Sequence, residues 1–270
     1  MGNYRTKLRS IGCPELCTNS MKGKRNPNQR SPNQVKKPRK AEVNYCPAYP
    51  AGALKESLEE ERKTLLLEVQ KKNQQQVKIK MEKTFAYRRQ EIVQDMPFIT
   101  ELKRRWPALF SESEVNAEFT RITTVPLLPK FMSQLDGYSD RLLKVFRNKG
   151  GEAGHKIRLM TAAMDKDVDP EATRGMEAII MGIYVIIHEG AEPDEDPEDV
   201  GIVIEGVEVL HGLRNTANAC ALLLGLIYCL NLSYPKELKS TFEFLQKVIM
   251  ELDGSRLSTK VQVLKNRLLQ

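Results

Sequence analysis

The chain has 270 residues, 41% of them hydrophobic and 29% charged, which supplies enough apolar content for a core and excludes a chain disordered throughout. Residues 1–50 carry 11 Lys+Arg against 2 Asp+Glu, whereas residues 51–270 carry 31 against 33. The net charge of +7 and the isoelectric point near 9.1 therefore describe a basic arm on a nearly neutral body, not a basic domain.

Residues 1–50 are rich in Pro, Asn, Lys and Arg and show no apolar periodicity, so they read as a disordered arm. The opening Met-Gly-Asn-Tyr-Arg lacks the apolar run of a secretion signal. From about Ala53 the pattern turns helical, with Leu54, Leu58, Leu65, Val69, Val77, Ile79 and Met81 set among dense charge through Gln94. The spacing is too irregular for a strict heptad seam. One long solvated helix, packing by a narrow stripe, is the expectation. Pro97 stops it and can open the next helix as a first-turn proline. Ile99, Leu102 and Trp106 follow at helical spacing up to Pro107. Ser111-Glu-Ser-Glu114 is a capping-box pattern ahead of Val115, Phe119 and Ile122. Pro129 begins a short turn carrying Phe131, Met132 and Leu135. Tyr138, Leu142, Val145 and Phe146 make a further helix closed by Gly150-Gly151. Ile157, Met160 and Met164 continue the helical pattern.

After Asp169-Pro170 the texture changes. Residues 179–187 are β-branched and aromatic, which suits a buried strand. An acidic loop follows, with six carboxylates in residues 192–199. Ile202-Val-Ile204, Glu205-Gly206 and Val207-Glu-Val209-Leu210 read as a hairpin or a bulged strand. Residues 218–232 are apolar almost all round and predict a central helix. The apolar run from Ala219 to Leu232, 14 residues, falls short of the roughly 20 needed to span a bilayer. Leu238, Phe242, Leu245, Ile249 and Leu252 mark an amphipathic helix ended by Gly254, and Leu257, Val261, Leu264 and Leu268 mark the last.

Catalytic and metal-binding patterns fail on spacing. The histidines, His155, His188 and His211, fall in different elements without a nucleophile elbow. Cys220 and Cys229 sit in the apolar helix, where a thiol is a small core residue. Five cysteines, an odd and scattered set, argue for an intracellular protein without a disulfide scaffold. Cys13, Cys17 and Cys46 have no histidine near them to complete a zinc site. Asp165-Lys-Asp167-Val-Asp169 begins like a calcium loop, but Pro170 stands where glycine is needed and Met176 where a bidentate Glu is needed. Lys149-Gly150-Gly151-Glu-Ala-Gly154 lacks the Gly-Lys-Ser/Thr ending of a phosphate loop. No catalytic, cofactor-binding or metal residue is assigned.

One pattern carries function. Lys24 and Arg25, a ten-residue spacer, then Lys36, Lys37, Pro38, Arg39 and Lys40 have the spacing of a two-part nuclear import signal. Two basic clusters on an extended strand can reach two acidic grooves of an import receptor. The same residues could instead neutralise phosphates, giving weak, salt-labile nucleic-acid binding. Lys78, Lys80, Lys83, Arg88 and Arg89, with Phe85 and Tyr87 interleaved, form a possible basic contact surface on the charged helix.

The phrases Lys80-Met-Glu-Lys-Thr-Phe-Ala-Tyr-Arg-Arg89, Arg105-Trp-Pro-Ala-Leu-Phe110, Ile122-Thr-Thr-Val-Pro126 and Leu226-Ile-Tyr-Cys-Leu-Asn-Leu-Ser-Tyr-Pro235 resemble a known family. With Asp199-Val-Gly-Ile202 and Glu205-Gly-Val207, they are similar to the vertebrate sterile alpha motif domain-containing protein 3-like group, from about residue 36 onward. The group has no established catalytic residues to transfer. Its name implies a helical protein-interaction module, but residues 1–50 lack the apolar pattern to fold as one, so that module's role does not carry over.

The expected fold is mainly α with a C-terminal α+β unit: a disordered basic arm (1–50), a helical region (51–169), and an α+β domain (170–270) in which helices pack a small sheet. The expected function is that of a non-catalytic interaction or regulatory protein, nuclear or otherwise cytoplasmic, with protein partners and no membrane span. The alternatives are a nucleic-acid-associated regulator using the arm and the Lys/Arg-rich helix, and an enzyme of unrecognised type.

Overall fold

A computed structural model describes residues 45–148, 150, 180–188, 196–253 and 256–269. They fall into two compact units. The first unit takes the chain up to Thr124 together with Leu226–Ser233, and the second takes Val125–Gly225 and Tyr234–Gln270. One boundary of this division falls at Thr124, where a left-handed residue (φ 62°) ends a helix; Asp169-Pro170 lies outside the described residues.

The first unit is helical. Helix α1 (Lys55–Gln70) and α2 (Gln74–Lys83) are a packed pair, not one continuous rod. The long-helix expectation fails at Lys71-Lys-Asn73. Lys72 adopts φ 55°, and the Asn73 side chain caps α2 by accepting from the Gln76 amide at 3.4 Å. A straight helix over some 40 residues would run about 60 Å with only a thin stripe to bury. Folding back instead buries Leu58 and Leu65 of α1 with Val77 and Met81 of α2. Helix α3 (Phe85–Gln90) runs into a π-helical turn (Glu91–Asp95) that ends at Met96 in the left-handed region (φ 49°). Pro97 does not serve as a first-turn proline: α4 (Ile99–Arg105) starts two residues later, behind Phe98. Pro107 opens a 3-10 turn (Pro107–Phe110). Ser111 then caps α5 (Glu112–Thr123) by accepting from the Glu114 amide at 3.4 Å.

The centre of this unit is polar as well as apolar. Arg88 and Glu118 are fully buried and joined by two hydrogen bonds, Nε–Oε1 at 2.9 Å and Nη2–Oε2 at 2.6 Å. Arg121 adds a 2.8 Å bond to Glu118, and the Arg88 guanidinium lies 5.1 Å from the centre of the buried Trp106 ring. Burial pushes the Glu118 carboxyl up, and Arg88 and Arg121 outweigh it, leaving it below the usual carboxylate range. Arg89, also fully buried, donates to the carbonyls of Tyr228 and Cys229 at 3.1 Å each and to that of Tyr45 at 3.1 Å. A cation on the last carbonyls of a helix satisfies acceptors that have no intrahelical donor and opposes the negative end of the helix dipole.

The second unit mixes helices and a sheet. Helix α6 (Leu127–Arg147) is a single 21-residue helix where a short turn and a separate helix are expected, since its apolar face continues through Gly137 without a break. Strands β1 (Met181–Ile186), β2 (Asp199–Ile204) and β3 (Val207–Leu210) form an antiparallel sheet in the order β1-β2-β3. Met181, Ile183 and Val185 stand opposite Ile204, Ile202 and Val200, giving one apolar face. Glu205 and Gly206, with φ 54° and 72°, make the two-residue turn that matches strand twist. The register between β2 and β3 then shifts at Ile202/Val203, so the segment is both hairpin and bulge. Helix α7 (Thr216–Cys229) starts under an Asn215 cap and is buried nearly all round. Its last turn, from Leu226, counts with the first unit. Helix α8 (Lys239–Phe244) continues as a π turn (Leu245–Ile249) and stops ahead of residue 254. Helix α9 (Thr259–Leu268) packs on α6. No helix among the described residues is long and apolar enough to cross a membrane.

Candidate functional site

In the first unit, the extended residues 45–50, the start of α1, the π turn and α4 enclose an open cleft of about 400 Å³. Tyr49, Tyr87 and Pro97 supply its rings. Glu91 and Arg105 form an ion pair within it, and Lys55, Asp95 and Glu101 complete the charged lining. The segment 45–50 is pinned alongside by the Arg89 bond to Tyr45 and by Gln90, whose amide donates to the Pro47 carbonyl at 3.2 Å. Ile92 of the π turn is buried, which anchors the turn and leaves Gln94 and Asp95 on the surface. Such a turn inserts one extra residue per turn and re-aims side chains, a device frequent at functional sites.

An ion-pair lattice holds the lining. Arg105 grips Glu91 with two bonds, Nε–Oε1 at 2.6 Å and Nη2–Oε2 at 2.9 Å, and reaches Glu59 at 3.3 Å. Arg62 binds both oxygens of Glu59 (2.9 and 2.7 Å), the Tyr87 hydroxyl donates to Glu59 at 2.9 Å, and the Trp106 indole donates to Glu91 at 3.3 Å. The Arg62 hydrogen bonds, with help from Tyr87 and Arg105, lower the Glu59 carboxyl to about 2. Burial, and then Glu59, push the Tyr87 phenol up to about 12. Burial, and then Asp95 and Glu56, raise Tyr49. Asp95 and Glu101 have no ion-pair partner among the described residues. Three large exposed apolar side chains adjoin lining residues in the chain: Leu54 beside Lys55, and Met96 and Phe98 on either side of Pro97.

The residues singled out from the sequence lie elsewhere. Lys24, Arg25, Lys36, Lys37, Arg39 and Lys40 fall outside the described residues. The basic contact surface does not form as expected. Arg88 and Arg89 are fully buried, the first paired with Glu118 and the second spent on backbone carbonyls. Lys80 and Lys83 both bind Glu61 of α1, at 2.9 and 2.5 Å, leaving Lys78 exposed without such a bridge. The physical cause is the hairpin: turning α2 back on α1 gives its cations carboxylates to meet. Cys229 is buried, and burial raises its thiol far above the ordinary value. His188 and His211 are exposed in separate segments, and the described residues contain no group of three potential metal ligands. The cleft was not foreseen. Its only trace in the sequence is that Tyr87 and Arg105 lie in two of the resembling phrases.

Residues 58–111 match the family model of the helical domain of sterile alpha motif domain-containing protein 3. The matched span opens at the first buried residue of α1 and closes at the Ser111 cap of α5, so it covers the packed pair, the π turn and most of the cleft lining. The chain is similar to that domain over these residues, which fall within the longer stretch of resemblance read from the sequence. No curated protein and no solved structure matches the chain.

Proposed function

We propose that the chain is a non-catalytic interaction protein whose helical first unit carries the protein-contact site, and that its basic arm delivers it to the nucleus. The observation that supports the contact site is an open polar cleft on an ion-paired frame, with the exposed Leu54, Met96 and Phe98 next in the chain to its residues Lys55 and Pro97. Large apolar side chains rimmed by polar groups mark interaction surfaces more often than solvated ones. The cleft chemistry favours recognition over bond making, since its phenols stay protonated at neutral pH and its central arginine and glutamate satisfy each other. Nucleic-acid binding loses Arg88 and Arg89 and rests on the arm and the exposed Lys78.

Two experiments test the reading. Affinity isolation is run with the full chain and with Leu54→Asp/Phe98→Asp, whose melting temperature is first shown to be unchanged. A protein recovered with the native chain and lost with the variant supports the site, and an identical recovered set refutes it. Residues 1–50 fused to a reporter should carry it into the nucleus, and replacing Lys36, Lys37, Arg39 and Lys40 by alanine should abolish this. A reporter that stays cytoplasmic refutes the import role.

A further inference from the structure

We propose that α3 is a peptide-reading helix: it takes an extended segment of a partner protein that carries a proline and, two residues on, a tyrosine, and residues 45–50 hold that site in cis as a built-in competitor. This deepens the interaction reading and rests on it. Residues 45–50 read Tyr-Cys-Pro-Ala-Tyr-Pro and form a strap along α3. Two adjacent side chains of the helix grip the strap by its backbone. Arg89 Nε donates to the Tyr45 carbonyl at 3.1 Å, and Gln90 Nε2 donates to the Pro47 carbonyl at 3.2 Å. Carbonyls two residues apart lie on one edge of an extended chain, so neighbours on one helix can address both. Two residues further on, Tyr49 meets Tyr87 edge-on with ring centres 6.4 Å apart, and Tyr87 in turn meets the buried Trp106 at 6.0 Å. Proline suits such a ligand, because its fixed φ restricts the free chain and it brings no N–H that needs an acceptor.

The reading groups are held in place independently of the strap. Arg89 is fully buried and fixed from behind by the Tyr228 and Cys229 carbonyls at 3.1 Å each, and the Tyr87 hydroxyl is tied to Glu59 at 2.9 Å. Lifting the strap therefore leaves a seated ring and a guanidinium donor aimed where the Tyr45 carbonyl was, a preorganised pair that calls for another acceptor. Gly52 joins the strap to α1 at φ 77°, and a Cβ there would meet nothing within 4 Å, so the joint is open enough for the strap to swing. The open cleft lies alongside, lined in part by Tyr49, Tyr87 and Gln90, and gives a longer ligand room to continue. Other ligand classes fit less well. A helical segment keeps its carbonyls in its own ladder. A hydrocarbon chain offers Arg89 and Gln90 no acceptor, and an anion would meet Glu91 and Asp95 of the lining.

The test is fluorescence anisotropy on the full chain with a labelled peptide, Tyr-Ser-Pro-Ala-Tyr-Pro, a copy of residues 45–50 in which serine replaces the cysteine. Tyr49→Ala loosens the strap and leaves α3 intact. The peptide should therefore bind that variant about tenfold more tightly than the native chain, whose strap competes at a high effective concentration. Adding Gln90→Ala to Tyr49→Ala should remove the gain, as should alanine in place of the peptide's second tyrosine. Should Tyr49→Ala not fold, Pro47→Gly loosens the strap through its backbone and gives the same comparison. Equal binding by the native chain and the loosened variant, or a gain that survives either alanine, overturns the proposal. Excess peptide should also release the partner recovered by affinity isolation; a partner that stays bound sits elsewhere and overturns its assignment to this site. The oligomeric state, read by light scattering, should not respond to Tyr49→Ala. A dimer that this variant dissolves would seat a second copy's strap on α3 and overturn the partner assignment. Should the peptide fail while a partner still depends on Leu54 and Phe98 in affinity isolation, only the peptide chemistry falls. Should both fail, the interaction reading falls with it.

Discussion

Replacing Arg88 by Met, Glu118 by Leu, or both tests whether the buried ion pair of the first unit is a matched device. Both side chains are fully buried, and two short hydrogen bonds join them. Arg88→Met leaves Glu118 with Arg121 alone and removes the donors to Thr84 Oγ1 and the Met81 carbonyl, each at 3.1 Å. Glu118→Leu leaves a guanidinium without its carboxylate in the same core. Breaking a buried pair from one side costs about 3–5 kcal/mol, whereas replacing both partners by apolar groups is often close to neutral. Each single variant should therefore lose about 3–5 kcal/mol. The double variant should lose about 2–5 kcal/mol, chiefly from the orphaned Met81 carbonyl and imperfect packing. Simple addition would instead require about 6–10 kcal/mol. The assay is urea unfolding read by Trp106, the chain's one tryptophan, which is buried 5.1 Å from the Arg88 guanidinium and so reports this unit. With slopes of about 1–3 kcal/mol per molar urea, the single variants should shift the midpoint by more than 1 M. Losses that add to within about 0.5 kcal/mol would refute the pairing argument. If either single variant does not fold, the same cycle with Arg88→Lys and Glu118→Gln gives smaller losses of the same form.

Glu59 is held at about 2, well below the ordinary 4.5, so its contribution is complete above about pH 4.5 and is lost as pH falls toward 2. Urea midpoints should drop through that window, and Glu59→Gln should flatten the drop; an unchanged acid profile in the variant would count against the lattice. In the sheet, a Cβ on Gly201 would come within 2.3–2.5 Å of the Tyr184 ring, whose hydroxyl bonds Asp199 at 3.0 Å and Glu208 at 2.8 Å. Gly201→Ala should cost about 1–2 kcal/mol in thermal melts by displacing that ring. In a Tyr184→Ala background it should cost much less, and an equal cost would mean the clash is not with the tyrosine. Leu224→Asp puts a charge into the fully buried face of α7 and should cost several kcal/mol by chemical unfolding; a loss under 1 kcal/mol would show that helix to be less enclosed than its burial indicates.

Much of the local structure was legible in the chain. Ser111 and Glu114 marked the start of α5, Glu205-Gly206 marked the hairpin, and the β-branched run before the acidic residues marked β1. In each case the deciding force is local: a side-chain cap, a positive φ, or a run of β-branched residues. The mainly helical composition with a small sheet near the C-terminus follows from the same signals. The short turn from Pro129 and the separate helix over residues 138–146 are one element: a helical apolar face carries α6 through Gly137, a residue that local propensity penalises by only about 1 kcal/mol.

What only the tertiary structure decided is where charge goes. In the sequence, Lys80, Lys83, Arg88 and Arg89 make one basic run, because linear order records no partner. The fold assigns them different fates: two cations on Glu61, one buried against Glu118, one on the last carbonyls of α7 more than a hundred residues away. The cleft has the same origin, since Tyr49, Glu91 and Arg105 share no periodicity and meet only after α1 and α2 fold back and the π turn re-aims its side chains. Composition and spacing set which elements form. The electrostatics of burial, which demands a partner for every charge taken out of water, set which residues those elements bring together.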